Sequence, residues 1–388
     1  MSVVELSKRT QRMRSSAIRE MLRQAAQPGM ISLAGGNPAP ETFPLDAMKT
    51  LMQRARTRFQ AALLQYGETD GLVPLRQALS QWLARKGLAC PWEQVLVTHG
   101  SQGALDLLAK VLIDAGTPLV VEAPSYLGAL QAMGPYGPHF QSVTMDREGL
   151  DPDELEVHFR KGTRLAYLLP TFQNPSGRVL SLARRQRVVE LARNYEALLI
   201  EDDPYADLRF EGSALPTLKS LAPEQVVYLG SLSKVFAPGL RLGFCLAPDW
   251  LRPWLVKAKQ GTDLHTSSLT QALATEFLES GLLEARLPSH IALYRERRDA
   301  LAQALTARLP GSFQFVRPEG GMFLWVQGPA HLDTSELLSK ALEAGVAYVP
   351  GEHFCVDPRQ GRHCLRLNFS FANPEQLQEG VRRLAQCL

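Results

Sequence analysis

The chain has 388 residues, of which 45% are hydrophobic and 21% charged, and a formal net charge of +3. That is globular composition, enough for one large domain and a smaller one, and the scattered Lys and Arg give no case for nucleic acid. No apolar run approaches the ~20 residues of a membrane span, residues 1–16 lack the apolar core of a secretory signal, and five cysteines without Cys-x-x-Cys or metal spacing read as reduced thiols in a cytoplasmic protein without a metal site.

The stretch Ser16-Ala17-Ile18-Arg19-Glu20-Met21-Leu22 has a Ser cap and a helical pattern that ends by Pro28-Gly29. Residues 31–40 form a loop with the pair Gly35-Gly36, which either lets backbone approach a ligand or serves as a plain turn. Helices are predicted over 46–60 and 74–86, with a polar, Gly-bounded loop at 64–71 between them. Strands and helices then alternate. Strand 94–98 is followed by a tight turn, His99-Gly100-Ser101-Gln102-Gly103, and a helix over 104–113. Such a turn offers free N–H groups and a positive helix end to a phosphate, although many such turns bind nothing.

Strand 119–122 leads to Pro124-Ser125-Tyr126 and a helix. Strand 140–145 precedes a short helix capped by Asp151, and strand 165–169 precedes Phe172-Gln173-Asn174-Pro175-Ser176-Gly177. Helix 182–195 and strand 197–200 end in Glu201-Asp202-Asp203-Pro204-Tyr205. The run Gln225-Val226-Val227-Tyr228-Leu229 is short and β-branched, as a buried strand should be, and it delivers Gly230-Ser231-Leu232-Ser233-Lys234, with Arg241 seven residues past the lysine. A lysine just past a strand end sits where open α/β sheets place their ligands. It could form a Schiff base with an aldehyde cofactor, and the hydroxyls and guanidinium beside it could hold a phosphate. The combination suggests pyridoxal phosphate (PLP); taken alone, a bare Ser-x-x-Lys more often marks a solvated loop lysine.

A further strand is predicted at 242–247. The succession implies an α/β fold, a mostly parallel sheet covered on both faces, with Asn174, Asp202, Tyr205 and Lys234 converging on one sheet edge. Residues 248–279 read as one or two long helices, a candidate bridge between domains. A charge-laced helix over 283–309, antiparallel strands at 312–316 and 321–326, a helix at 335–344, strands at 346–350 and 363–369, and a closing helix at 374–387 make a smaller α+β domain. The expected division is 1–45 joining the small domain, 46–279 as the large domain and 280–388 as the small one.

The stretches Ser-Ala-Ile-Arg-Glu, Leu-Ala-Gly-Gly-Asn-Pro-Ala-Pro-Glu, Gln-Tyr-Gly-Glu-Thr-Asp-Gly, Gly-Ser-Gln-Gly-Ala-Leu-Asp, Phe-Gln-Asn-Pro-Ser-Gly, Glu-Asp-Asp-Pro-Tyr, Gly-Ser-Leu-Ser-Lys, Gly-Gly-Met-Phe-Leu-Trp and Leu-Arg-Leu-Asn-Phe are each weak to moderate signals. In this order and spacing the chain resembles, over nearly its whole length, a fold-type I PLP-dependent aminotransferase of class I/II, closest to the α-aminoadipate and kynurenine branch. The resemblance implies a ping-pong transfer, through pyridoxamine phosphate, from 2-aminoadipate, aromatic or large aliphatic amino acids, or glutamate, to a 2-oxo acid such as 2-oxoglutarate. A PLP lyase or decarboxylase of the same fold is the alternative. A regulator with an aminotransferase-like domain would need a DNA-binding domain ahead of a pattern that already begins by Ser16.

By the same resemblance, Lys234 would join the cofactor and act as general base and acid. Asp202 would pair with the pyridine nitrogen, with a turn or capping aspartate as the plain alternative. Tyr205 and Asn174 would bond the phenolic oxygen and Tyr126 would stack on the ring. Ser101, Gln102, Ser231, Ser233 and Arg241 would hold the phosphate. Tyr66 would reach the phosphate of a neighbouring subunit, implying a homodimer with shared sites. Arg366 would take the substrate α-carboxylate in two parallel bonds, Gly35-Gly36 backbone would approach the substrate, and Arg19 would meet a distal carboxylate. For Arg19 a solvated helical arginine is the other reading, and for His265, near the phosphate by one reading, a helix-packing histidine is as good a fit.

Overall fold

The structure, a computed structural model, describes residues 4–13 and 27–388. The predicted helix that carries Arg19 lies outside the described residues. In chain order, β1 (Ile31–Ser32) precedes α1 (Leu45–Phe59) and α2 (Val73–Arg85). There follow β2 (Val95–His99), α3 (Gly100–Leu112), β3 (Pro118–Ala123), α4 (Leu127–Met133), β4 (His139–Asp146), β5 (Gly149–Leu150), α5 (Pro152–Arg160), β6 (Leu165–Leu168), α6 (Leu182–Asn194), β7 (Leu198–Asp202), α7 (Leu218–Leu221), β8 (Val226–Ser231) and β9 (Leu242–Leu246). Then come α8 (Arg252–Asp263), α9 (Ser268–Glu279), α10 (Leu282–Arg308), β10 (Gln314–Phe315), β11 (Phe323–Gln327), α11 (Thr334–Glu343), β12 (Val346–Ala347), β13 (Val349–Pro350), β14 (Cys364–Asn368) and α12 (Pro374–Ala385).

The large sheet has the order β2-β9-β8-β7-β6-β3-β4-β5. β8, β7, β6, β3 and β4 run parallel, while β9 is antiparallel to both β2 and β8. β2 therefore points the same way as β8, so β2, β8, β7, β6 and β3 all release their chain at one edge, and the segment entering β9 starts there too. β8 shows why the sheet sits in the middle of the molecule. It is buried along its length, and its side chains alternate between faces with the strand period of two. Val227 and Leu229 join Leu105 and Leu108 of α3 and Leu255 of α8, whereas Tyr228 joins Leu79 of α2 and Phe277 of α9. Each such apolar side chain contributes about 1.5–3 kcal/mol on burial.

Three expectations change. The turn predicted at 99–103 shrinks to one left-handed residue, Gly100 (φ 69°), and α3 begins there, so Ser101 and Gln102 lie in a helical first turn with its free N–H groups. Residues 248–279 do form two helices, but α8 and α9 cover opposite faces of the large sheet. The continuous α10 makes the link, with Leu283 in the α9 cluster and Tyr294, Leu301 and Leu305 in the core of the second sheet. The strand predicted at 346–350 is split: β12 pairs with β1 in parallel, and β13 pairs antiparallel with β14. Between them Tyr348 is buried and donates its hydroxyl to Thr334 O at 2.5 Å.

The second sheet, β10-β11-β14-β13, is antiparallel throughout. Leu365 and Leu367 of β14 pack with Leu377, Val381 and Leu384 of α12. Arg366, between them in sequence, lines the cavity described next.

Candidate active site

A cavity of about 660 Å³ opens where the strand ends converge; Tyr126, Asn174, Asp202, Tyr205, Lys234 and Arg366 are among its walls. At its floor, Asp202 ends β7 and is fully buried. Its Oδ2 accepts from Tyr167 Oη at 2.8 Å, while Oδ1 has no partner among the described residues. Burial pushes the carboxyl up to about 7, against the pull of the Tyr167 hydrogen bond and with help from the neighbouring Asp203. A buried acceptor with nothing to accept is costly, so this end of the cavity calls for a donor, best a cationic one.

Lys234 follows β8 and donates from Nζ to Gly36 O at 2.8 Å. Burial, then the charges of Arg366 and Arg241, bring its amine down to about 8. Asn174 Nδ2 lies 3.5 Å from Tyr205 Oη, and the Tyr205 ring stands edge-on to Phe323 at 5.9 Å. Tyr126 precedes α4 on the same cavity wall.

One side of the cavity suits an anion. Ser101 and Gln102 of α3, Ser231, Ser233 and Arg241 meet there. Arg241 has a left-handed backbone (φ 52°), uncommon for a residue with a side chain. Its guanidinium lies against Gly100, where a Cβ would stand 2.9 Å from Nη2. Gly243 brings β9 closer still to the start of α3, since a Cβ there would lie 2.5 Å from Gly100 C and 2.6 Å from Ser101 N. Both atoms are backbone and cannot swing aside. Gly243→Ala should therefore displace the first turn of α3 and cost about 1–3 kcal/mol. Thermal unfolding checks this, and an unchanged midpoint would mean that β9 and α3 have slack between them.

Arg366 is buried between two rings, 4.2 Å from the Phe323 centroid and 4.9 Å from that of Phe354. Nη1 donates to Asn174 Oδ1 at 2.9 Å and Nη2 to Ala34 O at 2.5 Å; Nε has no partner among the described residues. Burial lowers its pKa only to about 10, so the guanidinium remains a cation at neutral pH. Of its five N–H donors, three remain for a ligand.

The cavity thus gathers Ser101, Gln102, Tyr126, Asn174, Asp202, Tyr205, Ser231, Ser233, Lys234, Arg241, Arg366 and Gly36. Gly35, Tyr66 and His265 do not line it. Tyr66 is 80% exposed, with the His265 ring edge-on at 6.0 Å. His265 lies between α8 and α9, its Nδ1 2.9 Å from Thr266 O.

The sequence reading missed several supporting residues. Phe323, Phe354 and Ala34 hold Arg366, and Tyr167 holds Asp202. Glu122, fully buried in β3, accepts from Leu169 N and Gln173 Nε2, both at 3.1 Å. Gln173 Nε2 also donates to Pro124 O at 2.7 Å, which ties the loop before Tyr126 to the loop bearing Asn174. Burial raises the Glu122 carboxyl to about 8, against these two bonds. The one signal for Glu122 is a carboxylate at the end of an apolar strand; Tyr167, inside an apolar strand, carries none.

The profile of the family described as Aminotransferase class I and II matches residues 28–384. Aromatic-amino-acid aminotransferase 1 of Thermococcus litoralis is 41% identical over 385 residues, covering 97% of this chain and 92% of the relative. Among solved structures, LysN, the alpha-aminoadipate aminotransferase of Thermus thermophilus complexed with N-(5'-phosphopyridoxyl)-L-leucine, superimposes with a TM-score of 0.90 at 41% identity, covering 99% and 97% of the two chains. The Pyrococcus horikoshii kynurenine aminotransferase, in complex with PMP, gives a TM-score of 0.94 at 38% identity, covering 98% of this chain and 96% of the other.

Proposed function

The chain belongs to the class I and II aminotransferases, and from that premise we propose that it moves an amino group from 2-aminoadipate, aromatic or large aliphatic amino acids, or glutamate to a 2-oxo acid, 2-oxoglutarate foremost, in a ping-pong cycle. It is a PLP-dependent enzyme of fold type I. The observation that carries the assignment of the site is the unpartnered, buried Asp202 Oδ1 in the same cavity as Lys234 and Arg366. That cavity fits the cofactor: an anion pocket at one side, an aromatic wall, and a lone carboxylate oxygen at the floor.

When bound, the cofactor supplies an electron sink for the pair left on the substrate Cα as its proton departs. Asp202 Oδ1 would accept from the pyridine nitrogen and keep it protonated. Tyr205 Oη and Asn174 Nδ2 would donate to the phenolic oxygen, and the Tyr126 ring would lie against the cofactor face. Ser101, Gln102, Ser231, Ser233 and Arg241 would hold the phosphate, in part through the free N–H groups at the start of α3. Lys234 Nζ would carry the cofactor at rest and then move the proton at Cα. Arg366 would grip the α-carboxylate through Nε and its free N–H groups, and Gly36 would border the substrate.

Tyr66 would serve the phosphate of a second copy in a homodimer. Its exposure, next to Leu64 at 90%, supports that reading. Arg19 would meet the distal carboxylate of acidic substrates. Five free cysteines support a cytoplasmic setting, and no helix among the described residues is long and apolar enough to cross a membrane.

The test is a half-reaction: single amino acids are mixed with the holoenzyme and loss of the cofactor's aldehyde-form absorbance is followed. Conversion by 2-aminoadipate, an aromatic donor and glutamate, reversed by 2-oxoglutarate, is the expected outcome. Release of CO2 or of a side chain instead would transfer the assignment to a lyase or decarboxylase.

A further inference from the structure

Tyr167 sits in the middle of the large sheet, fully buried, in a cluster with Val121, Ile200 and Leu229. A phenylalanine would serve that apolar packing as well. The hydroxyl is the only polar atom of the side chain, and a buried phenol needs a partner. Its partner is Asp202 Oδ2, at 2.8 Å. The register explains the meeting: β6 and β7 run in parallel with Tyr167 opposite Ile200, two residues before the carboxylate that ends β7. Among the described residues no second donor reaches the Asp202 carboxylate, and Oδ1 is left bare.

We propose that Tyr167 is a positioning residue for Asp202: its hydroxyl fixes Oδ2 and so leaves Oδ1 as the single acceptor presented to a protonated ring nitrogen. The inference rests on the reading of Asp202 as the partner of that nitrogen. The bond has a second effect. A hydrogen bond donated to a carboxylate favours its charged form, and here it opposes both burial and the repulsion of Asp203. Among the described residues, the other groups around the pair add no donor. Tyr126 and Tyr205 face Asp202 across the cavity, Glu122 of β3 faces Tyr167, and Lys234, Arg241 and Arg366 line the same cavity without bonding Asp202. Without the hydroxyl, the carboxylate would take up a proton at higher pH and would be free to turn.

The variant is Tyr167→Phe, with Asp202→Asn as reference. The readouts are the dissociation constant of pyridoxal phosphate at a series of pH values and the thermal midpoint of the cofactor-free protein. Removing one hydrogen bond to a charged group is expected to weaken binding about tenfold. The loss should be largest on the acid side, with the pH at which binding fails moved up by about one unit. Asp202→Asn should bind more weakly still and lose that pH dependence. If Asp202→Asn is damaged and Tyr167→Phe matches the wild type, the role of Tyr167 is overturned alone. A loss of equal size at every pH, with a lowered thermal midpoint, would also overturn it, because that marks packing damage. If both variants bind as the wild type does, the reading of Asp202 beneath the inference falls.

Discussion

Lys234→Ala is expected to lower kcat by about four orders of magnitude or more, with the fold intact. Among the described residues the other cations lining the cavity are Arg241 and Arg366, and a guanidinium does not give up its proton in a protein. No second amine among the described residues lines the cavity to take over proton transfer at the substrate Cα. The fold should tolerate the change, since among the described residues alanine removes one hydrogen bond, to Gly36 O. A second expectation follows from the state of the amine in the cofactor-free enzyme. Burial, Arg366 and Arg241 hold its pKa at about 8, below the usual lysine value. The neutral amine is the nucleophile. Capture of pyridoxal phosphate by the cofactor-free wild type should thus speed up as pH rises, reach half its limit near pH 8 and level off above. Rapid-mixing absorbance across pH measures this. A rate that keeps climbing toward about pH 10 would show an amine that the cavity does not depress. A Lys234→Ala enzyme with more than about a hundredth of wild-type kcat would remove the lysine from the chemistry.

Lys234, Asp202 and Tyr205 can be read from the sequence because Asp202 closes a short apolar strand and the other two follow one, and parallel strands release their chain at a common edge. Arg366 comes from the other sheet. Leu365 and Leu367 turn into the core and Arg366 takes the other side of β14, and only the family resemblance singles it out in the sequence. That this side meets Asn174 and Ala34 depends on how the two sheets are set together, which no local pattern encodes. Tyr167 and Glu122 were lost for a related reason. Their polar atoms act on partners 35 and 51 residues away, Asp202 and Gln173, while their own strands look like plain core. The break at Tyr348 was hidden likewise, since it is tied to Thr334 on another element. At 99–103 the local rule itself misled: Gly and Ser read as turn residues, yet one left-handed glycine suffices for the turn and the helix starts at once.

Arg366→Lys should raise KM for the amino donor about a hundredfold and lower kcat about tenfold. The charge survives this change; the planar fork does not. In the wild type two N–H groups are spent on Asn174 and Ala34, the guanidinium lies over the Phe323 and Phe354 rings, and Nε is buried without a partner among the described residues. A carboxylate that takes Nε and a neighbouring N–H meets two parallel bonds and is fixed in orientation, and with it the Cα–H bond. An ammonium on a flexible stem offers attraction without that alignment, so binding and chemistry both suffer. Arg366→Leu separates charge from shape. It should raise KM further, and it should also move the Lys234 capture midpoint upward, because the positive charge of Arg366 is one of the causes that hold that amine low. Arg366→Lys keeps the charge and should leave the midpoint near pH 8. Steady-state constants, with capture rates followed across pH, test the two halves independently. A lysine variant with wild-type KM would mean that the substrate carboxylate binds elsewhere, and a leucine variant with an unmoved midpoint would mean that Arg366 has no part in depressing Lys234, leaving burial and Arg241.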